Sequence, residues 1–289
     1  MPVTPSALNT ENDLTLDGGE KGIPPTQTSI SIRRVIRPMR GGSQARLVQC
    51  DDDQFYIAKF AGNPQGNRTL INELVSHRIM KHLGISTPNI QLLDLPPSPE
   101  QTESVFFHVG NRRVLPQPGP HLGSHCPANP EETAIFDFLP AKLLSRITNL
   151  DEFAMMFVLD KWLYNTDGRQ AVYVRDRSVK GKVGYRAFFI DHGLTFSGQE
   201  WRFGDTPLRG VAFPRSVYSL LDLRALITAA VERIEAIPSE ILQSAADGIP
   251  GTWLAPVDHG CLTQLLIALG TRRQGLGAMM ARHLTALGL

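Results

Sequence analysis

The sequence predicts an α+β chain in two lobes, a strand-rich first half and a mostly helical second half. Three observations carry this prediction. Short strand-forming runs punctuated by turn residues fill the chain from Ser29 to about Leu139. From Ala141 onward the apolar spacing is mostly helical. The exception in the second half is a β-hairpin inside Phe157 to Gly193, FVLDKWLYNTDGRQAVYVRDRSVKGKVGYRAFFIDHG, and the rest of the chain is organised around it.

Met1 to about Thr28 is polar, without apolar periodicity, and reads as a disordered or loosely attached tail. Ser29 to Ile36 is the first strand. Gly41-Gly42-Ser43 is a tight turn before a second strand, Ala45 to Cys50. Such glycines let backbone N–H groups approach a phosphate, although two glycines in a hairpin turn also serve as a turn alone. The lysine-bearing GxxxxGK[ST] loop is absent. Phe55 to Phe60 is the third strand. With a period of two, Phe55, Ile57 and Lys59 share one face, and the apolar pair suggests a covered face. A lysine there needs a partner for its ammonium, unless it snorkels out at the strand end.

Residues 62 to 67, GNPQGN, form a loop. A helix follows from about Thr69 to Leu83, with an apolar stripe of Ile71, Leu74, Val75, Ile79 and Leu83 and a stop at Gly84. Glu73, in its first turns, fits the helix dipole and also fits as the partner of Lys59. Asn89 to Leu95 and Ser104 to Val109 are strand candidates. Residues 116 to 130 read as a Pro/Gly loop, and Ala134 to Leu139 as a short strand in the position of a hinge between the lobes. In the second half, Asp151 to Tyr164, Tyr218 to Ile237, Glu240 to Asp247 and Leu262 to Leu287 read as helices. The stretch after Gly193 reads as irregular with exposed aromatics, in the place of an activation or substrate loop.

The hairpin runs from Ala171 to Arg175, through a polar turn at Asp176 to Lys182, to Tyr185 to Ile190. Folding back on itself, it brings Asp167 of NTDGRQ and Asp191 of DHG to one end of the sheet. Read singly, each is an ordinary turn residue. As a pair they match what phosphoryl transfer needs: one carboxylate to orient a hydroxyl and one to hold Mg²⁺.

Composition narrows the rest. A net charge of +1 with mixed signs gives no global sign of nucleic acid or an anionic membrane as partner. Three cysteines far apart, with no CxxC, argue against a zinc site or a disulfide framework and fit a reducing cytoplasm. No apolar run spans a bilayer, and the N-terminus lacks a signal-peptide pattern.

The stretches GSQARLVQCDDDQFYIAKFAGNPQGNRTLINEL, GPHLGSHCP, IFDFLP, DKWLYNTDGRQAVY and FIDHG resemble the HipA-like kinases, a branch of the protein-kinase-like fold related to the phosphatidylinositol-kinase type. The resemblance implies a bilobal kinase-like fold with a β-rich N-lobe (29–139) and a helical C-lobe (140–289), ATP and Mg²⁺ as cofactors, and a hydroxyl acceptor, with protein serine or threonine expected ahead of a small molecule or a lipid headgroup. It matches Lys59 to the ATP-phosphate lysine, Glu73 to its ion-pair partner, and Gly42, Ser43 and Gln44 to the phosphate-covering loop. Asp137, Phe138 and Leu139 match the hinge. Asp167 matches the catalytic aspartate and Asp191 the metal-binding one.

The family's loop reads DRHxxN, with a second metal ligand where this chain has Val172, and valine offers Mg²⁺ no oxygen. Gln170, or Asn165 on the other side, is the candidate substitute, and Arg169 is the candidate to reach the γ-phosphate. The family's toxin has an extra N-terminal subdomain and a DNA-binding antitoxin, and neither is expected here. The alternative that Val172 favours is a nucleotide-binding pseudokinase acting as a regulatory module.

Overall fold

The structure is a computed structural model and describes residues 30–96, 105–177, 183–212 and 214–288. The expected tail, 1–28, lies outside the described residues, as do Ser29, Ser104 and most of the polar hairpin turn.

Three antiparallel strands open the fold: β1 (Ile30–Pro38), β2 (Arg46–Cys50) and β3 (Phe55–Lys59). Helix α1 (Arg68–His82) follows, then β4 (Ile90–Asp94), the small hairpin β5 (Phe107–Val109) and β6 (Arg112–Val114), and β7 (His121–His125). The order β1-β2-β3-β7-β4 closes into a barrel, sealed by parallel pairing of Ile30 with Leu93 and Ser31 with Asp94. Strand alternation sorts the side chains. Val48, Cys50, Tyr56, Ala58, Leu93 and Phe107 pack in one cluster with Phe60, which follows β3. Phe55 and Ile57, on the opposite face, pack with Leu47 and Cys126, so the face that carries Lys59 is covered as its alternation predicts.

β7 corrects the reading of 116–130 as a loop. Its sequence, His-Leu-Gly-Ser-His, lacks the β-branched residues that mark a strand, yet it bridges β3 and β4 in the barrel wall. Gly123 is needed there, because a Cβ would sit 2.5 Å from Leu93 Cδ1.

α1 carries more than an apolar stripe. Thr69 to His77 are all buried, as are Ile79 and Met80, so the helix is enclosed on nearly every side. Its C-terminus is closed by Gly84 at φ +69°.

The expected hinge strand is short. β8 (Ile135–Phe136) pairs only with Val174 and Tyr173 of the next strand, while Asp137 and Phe138 beyond it are exposed and Leu139 is buried. Helix α2 (Glu152–Trp162) then leads to the hairpin β9 (Gln170–Asp176) and β10 (Gly184–Ile190), whose register places Gln170 opposite Ile190. The helices α3 (Leu223–Glu235), α4 (Ser239–Ser244), α5 (Asp258–Arg273) and α6 (Leu276–Leu287) complete the fold.

Two expected helices are broken. The stretch 215–220 is a 3₁₀ turn before α3, and 262–287 is split at Gln274-Gly275, which lets α6 bring Met279 and Met280 back into the core. Among the described residues the aromatics after Gly193 are not exposed: Phe196 is fully buried and Trp201 is half-buried. One apolar cluster runs from α1 and Leu122 through α2 and the hairpin to α6. Among the described residues no helix is long and apolar enough to cross a membrane.

Candidate active site

Lys59 leaves the end of β3 on its outer face, and α1 packs across it. The Lys59 Nζ lies 2.7 Å from Glu73 Oε2 and 2.9 Å from Asp191 Oδ1. Burial alone would lower the Lys59 pKa, but the charges of Glu73 and Asp191 outweigh it and raise it above the ordinary lysine value. Asp191 is pulled below the usual carboxylate range, chiefly by the Lys59 charge. The ammonium and the Asp191 carboxylate are therefore both ionised at neutral pH. Glu73 is the most enclosed of the three, at 5% side-chain exposure against 14% for Lys59 and 41% for Asp191.

Asp191 owes its aim to backbone geometry. It leaves β10 at φ +60°, a left-handed conformation that short polar side chains tolerate better than most. Two residues on, Gly193 lets the chain press against α1, where a Cβ would be 3.3 Å from Thr69 Cβ and 3.4 Å from Glu73 Oε2. Asn72 staples this approach. Its Nδ2 lies within hydrogen-bond distance of the carbonyl oxygens of Gly193, Thr195 and Gly198, and its Oδ1 accepts from Trp201 Nε1 at 2.7 Å. Ser76 and Thr195 add a hydroxyl pair at 2.9 Å.

The hairpin brings the two aspartates together as its register predicts. Gln170 Nε2 lies 3.2 Å from Asp191 Oδ2 and 3.5 Å from Asp167 Oδ2. Asp167 is half-buried, and its loop is held from both sides: its N–H donates to Asn165 Oδ1 at 3.1 Å and its carbonyl accepts from Gly210 at 2.8 Å. Thr166 is tied to Leu194, in the segment after Asp191, through its N–H at 3.0 Å. Asn165 is 1% exposed with both amide atoms engaged, so only Gln170 of the two candidate oxygen donors faces the carboxylates. Val172 is buried in β9 opposite Phe188.

The Arg169 side chain is buried against Asp160, which corrects its expected phosphate contact. Its guanidinium is 2% exposed and grips both carboxylate oxygens of Asp160 on α2, with Nε 2.8 Å from Oδ2. A fork of this kind is complete without a further anion. Its remaining nitrogen donates to the Ile190 carbonyl at 2.7 Å and to His192 Nδ1 at 3.0 Å. His192 is buried, and burial together with the nearby Arg169 charge holds it neutral, well below its ordinary pKa. Arg169 thus ties α2 to the exit of β10 and positions Asp191 from behind.

The glycine turn lies at the Lys59 end of the barrel, since Arg46 pairs with Ala58 and Met39 N–H closes on the Ala45 carbonyl. Gln44 turns its side chain away, exchanging two hydrogen bonds with the backbone of His108 at 2.8 and 2.9 Å. Ser43 is buried. Asp137 and Phe138 lie apart from this constellation, at the β8 edge of the hairpin sheet.

Sequence reasoning missed Asn72, Asp160 and His192. Asn72 sits beside Glu73 in a helix and has no motif of its own. Asp160 could have been suspected as a charged residue within an otherwise apolar helical run.

A barrel with one packed helix, followed by a helical half holding a hairpin with two aspartates at its end, is the fold of a kinase. The chain matches the family model described as HipA-like kinase over residues 32–269 and belongs to that family. No curated protein matches it by sequence. Among solved structures it is similar in fold to the Helicobacter pylori proinflammatory kinase CtkA, at 14% identity and TM-score 0.51, covering 89% of this chain and 96% of that one. It is similar also to hydra Fam20, solved with sugar, at 11% identity and TM-score 0.52, covering 89% and 87%.

Proposed function

We propose that this kinase transfers the γ-phosphate of ATP, with Mg²⁺, to the hydroxyl of a protein serine or threonine. The carrying observation is the convergence of Lys59, Glu73, Asp191, Gln170 and Asp167 through contacts of 2.7 to 3.5 Å. In this reading the chain is bilobal, with ATP between a lobe of residues 29–139 and one of residues 140–289. The apolar face of Leu47, Ile57 and Ile135 receives the base, and the backbone of Asp137 to Leu139 edges it. Lys59, held by Glu73, clamps the α- and β-phosphates, and the Gly42-Ser43 backbone covers them.

The donor set suits Mg²⁺. The described residues contain no group of three or more His, Cys, Asp or Glu that could hold a metal on its own. Mg²⁺ in phosphoryl transfer takes one or two carboxylates and completes its shell with phosphate oxygens and water. Asp191 would hold it, and Gln170, whose amide nitrogen now faces Asp191, would stand in for the oxygen that Val172 lacks by turning its amide oxygen to the ion. Bound there, Mg²⁺ neutralises phosphate charge.

Asp167 orients the acceptor hydroxyl. The hydroxyl oxygen bonds to the γ-phosphorus, the bond from that phosphorus to the bridging oxygen breaks, and ADP leaves. The hydroxyl proton passes to the Asp167 carboxylate. The thiols of Cys50, Cys126 and Cys261 are free, which suits a cytoplasmic setting.

Asp167→Asn tests the reading, because an interaction made chiefly in the transition state should vanish from kcat and leave ATP affinity intact. The expected loss is at least ~100-fold in transfer of labelled phosphate to lysate proteins. A pseudokinase gives no transfer even as wild type. Transfer that survives Asp167→Asn means another residue orients the acceptor.

A further inference from the structure

The loop that follows β3 carries a polar side chain the catalytic arrangement does not use. Residues 62–67 read GNPQGN, and the amide side chains of Asn63 and Asn67 are both fully engaged. Asn63 Nδ2 donates to the Phe60 carbonyl at 3.1 Å, and its Oδ1 accepts from the Gln65 N–H at 2.9 Å. Asn67 Oδ1 accepts from the Gly62 N–H at 2.7 Å, and its Nδ2 donates to Gln117 at 2.8 Å. The Gln65 side chain is the exception. It is half-buried, and its amide has no hydrogen-bond partner among the described residues.

That side chain packs against the glycine turn. A Cβ on Gly42 would meet Gln65 Nε2 at 2.8 Å, Cδ at 3.1 Å and Cγ at 3.4 Å. Gly41, at φ +117°, is a glycine for its backbone conformation; Gly42 has no positive φ and is small for Gln65. The N–H groups of Gly42 and Ser43 also have no partner among the described residues, since the bond closing the turn runs from Gln44 to Gly41. The tip of the turn therefore offers neutral donors from two directions, backbone and Gln65, at the Lys59 end of the barrel. On its other flank the loop meets the segment after Asp191: a Cβ on Gly66 would strike Gln199 Nε2 at 1.8 Å, and Arg68 donates to the Gln199 carbonyl at 2.6 Å. Gln65 thus stands between the glycine turn and the segment that leads from the candidate metal ligand.

We propose that Gln65 is a nucleotide-binding residue that donates its amide to the terminal phosphate of ATP and lets the site tell a triphosphate from a diphosphate. This rests on the nucleotide reading above and adds to it the residue that recognises the transferred group. Lys59 cannot make that distinction, because α- and β-phosphates are common to ATP and ADP. An amide donor fits this role, since its N–H can bond an anionic phosphate oxygen.

The experiment is calorimetric titration of the full chain with ATP and with ADP, each with Mg²⁺, for wild type, Gln65→Ala and Gln65→Glu. One hydrogen bond to a charged oxygen predicts about a tenfold loss of ATP affinity in Gln65→Ala with ADP affinity unchanged. Gln65→Glu should lose more, by like-charge repulsion. Equal losses for ATP and ADP, or no loss for either, overturn the Gln65 assignment while leaving the nucleotide site standing. A wild-type chain that binds neither nucleotide removes the site itself, and Gln65 with it.

Discussion

Replacing Lys59 by methionine removes the ammonium and keeps the bulk. Glu73 is then a carboxylate at 5% exposure whose hydrogen-bond partner was Lys59. Removing one side of a buried pair costs ~3–5 kcal/mol, mostly because the remaining charge stays desolvated. Asp191 loses the same partner but is 41% exposed, so water takes over and its share is small. The Lys59→Met cost should therefore lie near ~3 kcal/mol. Glu73→Gln is milder, about 1 kcal/mol, because Lys59 keeps Asp191 and can still bond the amide oxygen. In the double variant neither buried charge remains, and the loss should return to about 1 kcal/mol, a coupling near ~3 kcal/mol. Urea midpoints of the four proteins at pH 7 measure this directly if the slope m is unchanged. In a melt, Lys59→Met should drop Tm by roughly 6 °C, at ~2 °C per kcal/mol for a chain of this size. Additive losses, or a Lys59→Met protein as stable as wild type, would refute the argument that Glu73 is held as a buried ion.

Asp191→Ala should abolish the Mg²⁺ dependence of ATP binding, read as equal thermal shifts with ATP in the presence and absence of Mg²⁺; a difference as large as that of wild type would exclude Asp191 as the ligand. Arg169→Met should destabilise the chain by ~3–5 kcal/mol in urea, because it strands Asp160 at 0% exposure; a fully stable variant that loses only activity would restore the phosphate-contact role. Stability should also fall in acid. Burial pushes His77 and His121 down to about 4, and His192 is likewise held neutral. The unfolded chain protonates each near ~6.5, so below that pH it binds protons the fold refuses. Each histidine then removes up to ~1.4 kcal/mol per pH unit between about 6.5 and 4. Equal urea midpoints at pH 7 and pH 5 would contradict this.

What could be read from the sequence followed the reach of its signals. The hairpin was legible because its strands alternate and its turn is polar, and its register alone delivers Asp167 and Asp191 to one end. Lys59 and Glu73 were legible together, because a lysine on a covered strand face demands an acid and the next helix has one. β7 was hidden: its strand is specified by its neighbours on both sides, and its glycine is there for Leu93. The sequence singles out Arg169 but not the direction of its side chain. Its partner Asp160 is nine residues back on another element, and nothing local says that the chain folds the pair together. The break before α6 is likewise set by packing, since an isolated Gly275 does not by itself end a helix.

α1 has almost no free surface, and this bears on how the kinase can be controlled. Its buried apolar residues include Leu70, Ile71, Leu74, Val75, Ile79 and Met80. Uncovering each costs ~1.5–3 kcal/mol, so an outward swing of the helix would cost on the order of 10 kcal/mol, as much as unfolding a typical domain. At that cost fewer than about one molecule in a million holds Glu73 away from Lys59 at any instant. Amide exchange along α1 should accordingly require global opening, at the slowest rate in the chain. The burial of this helix leaves its posture little room to serve as a switch.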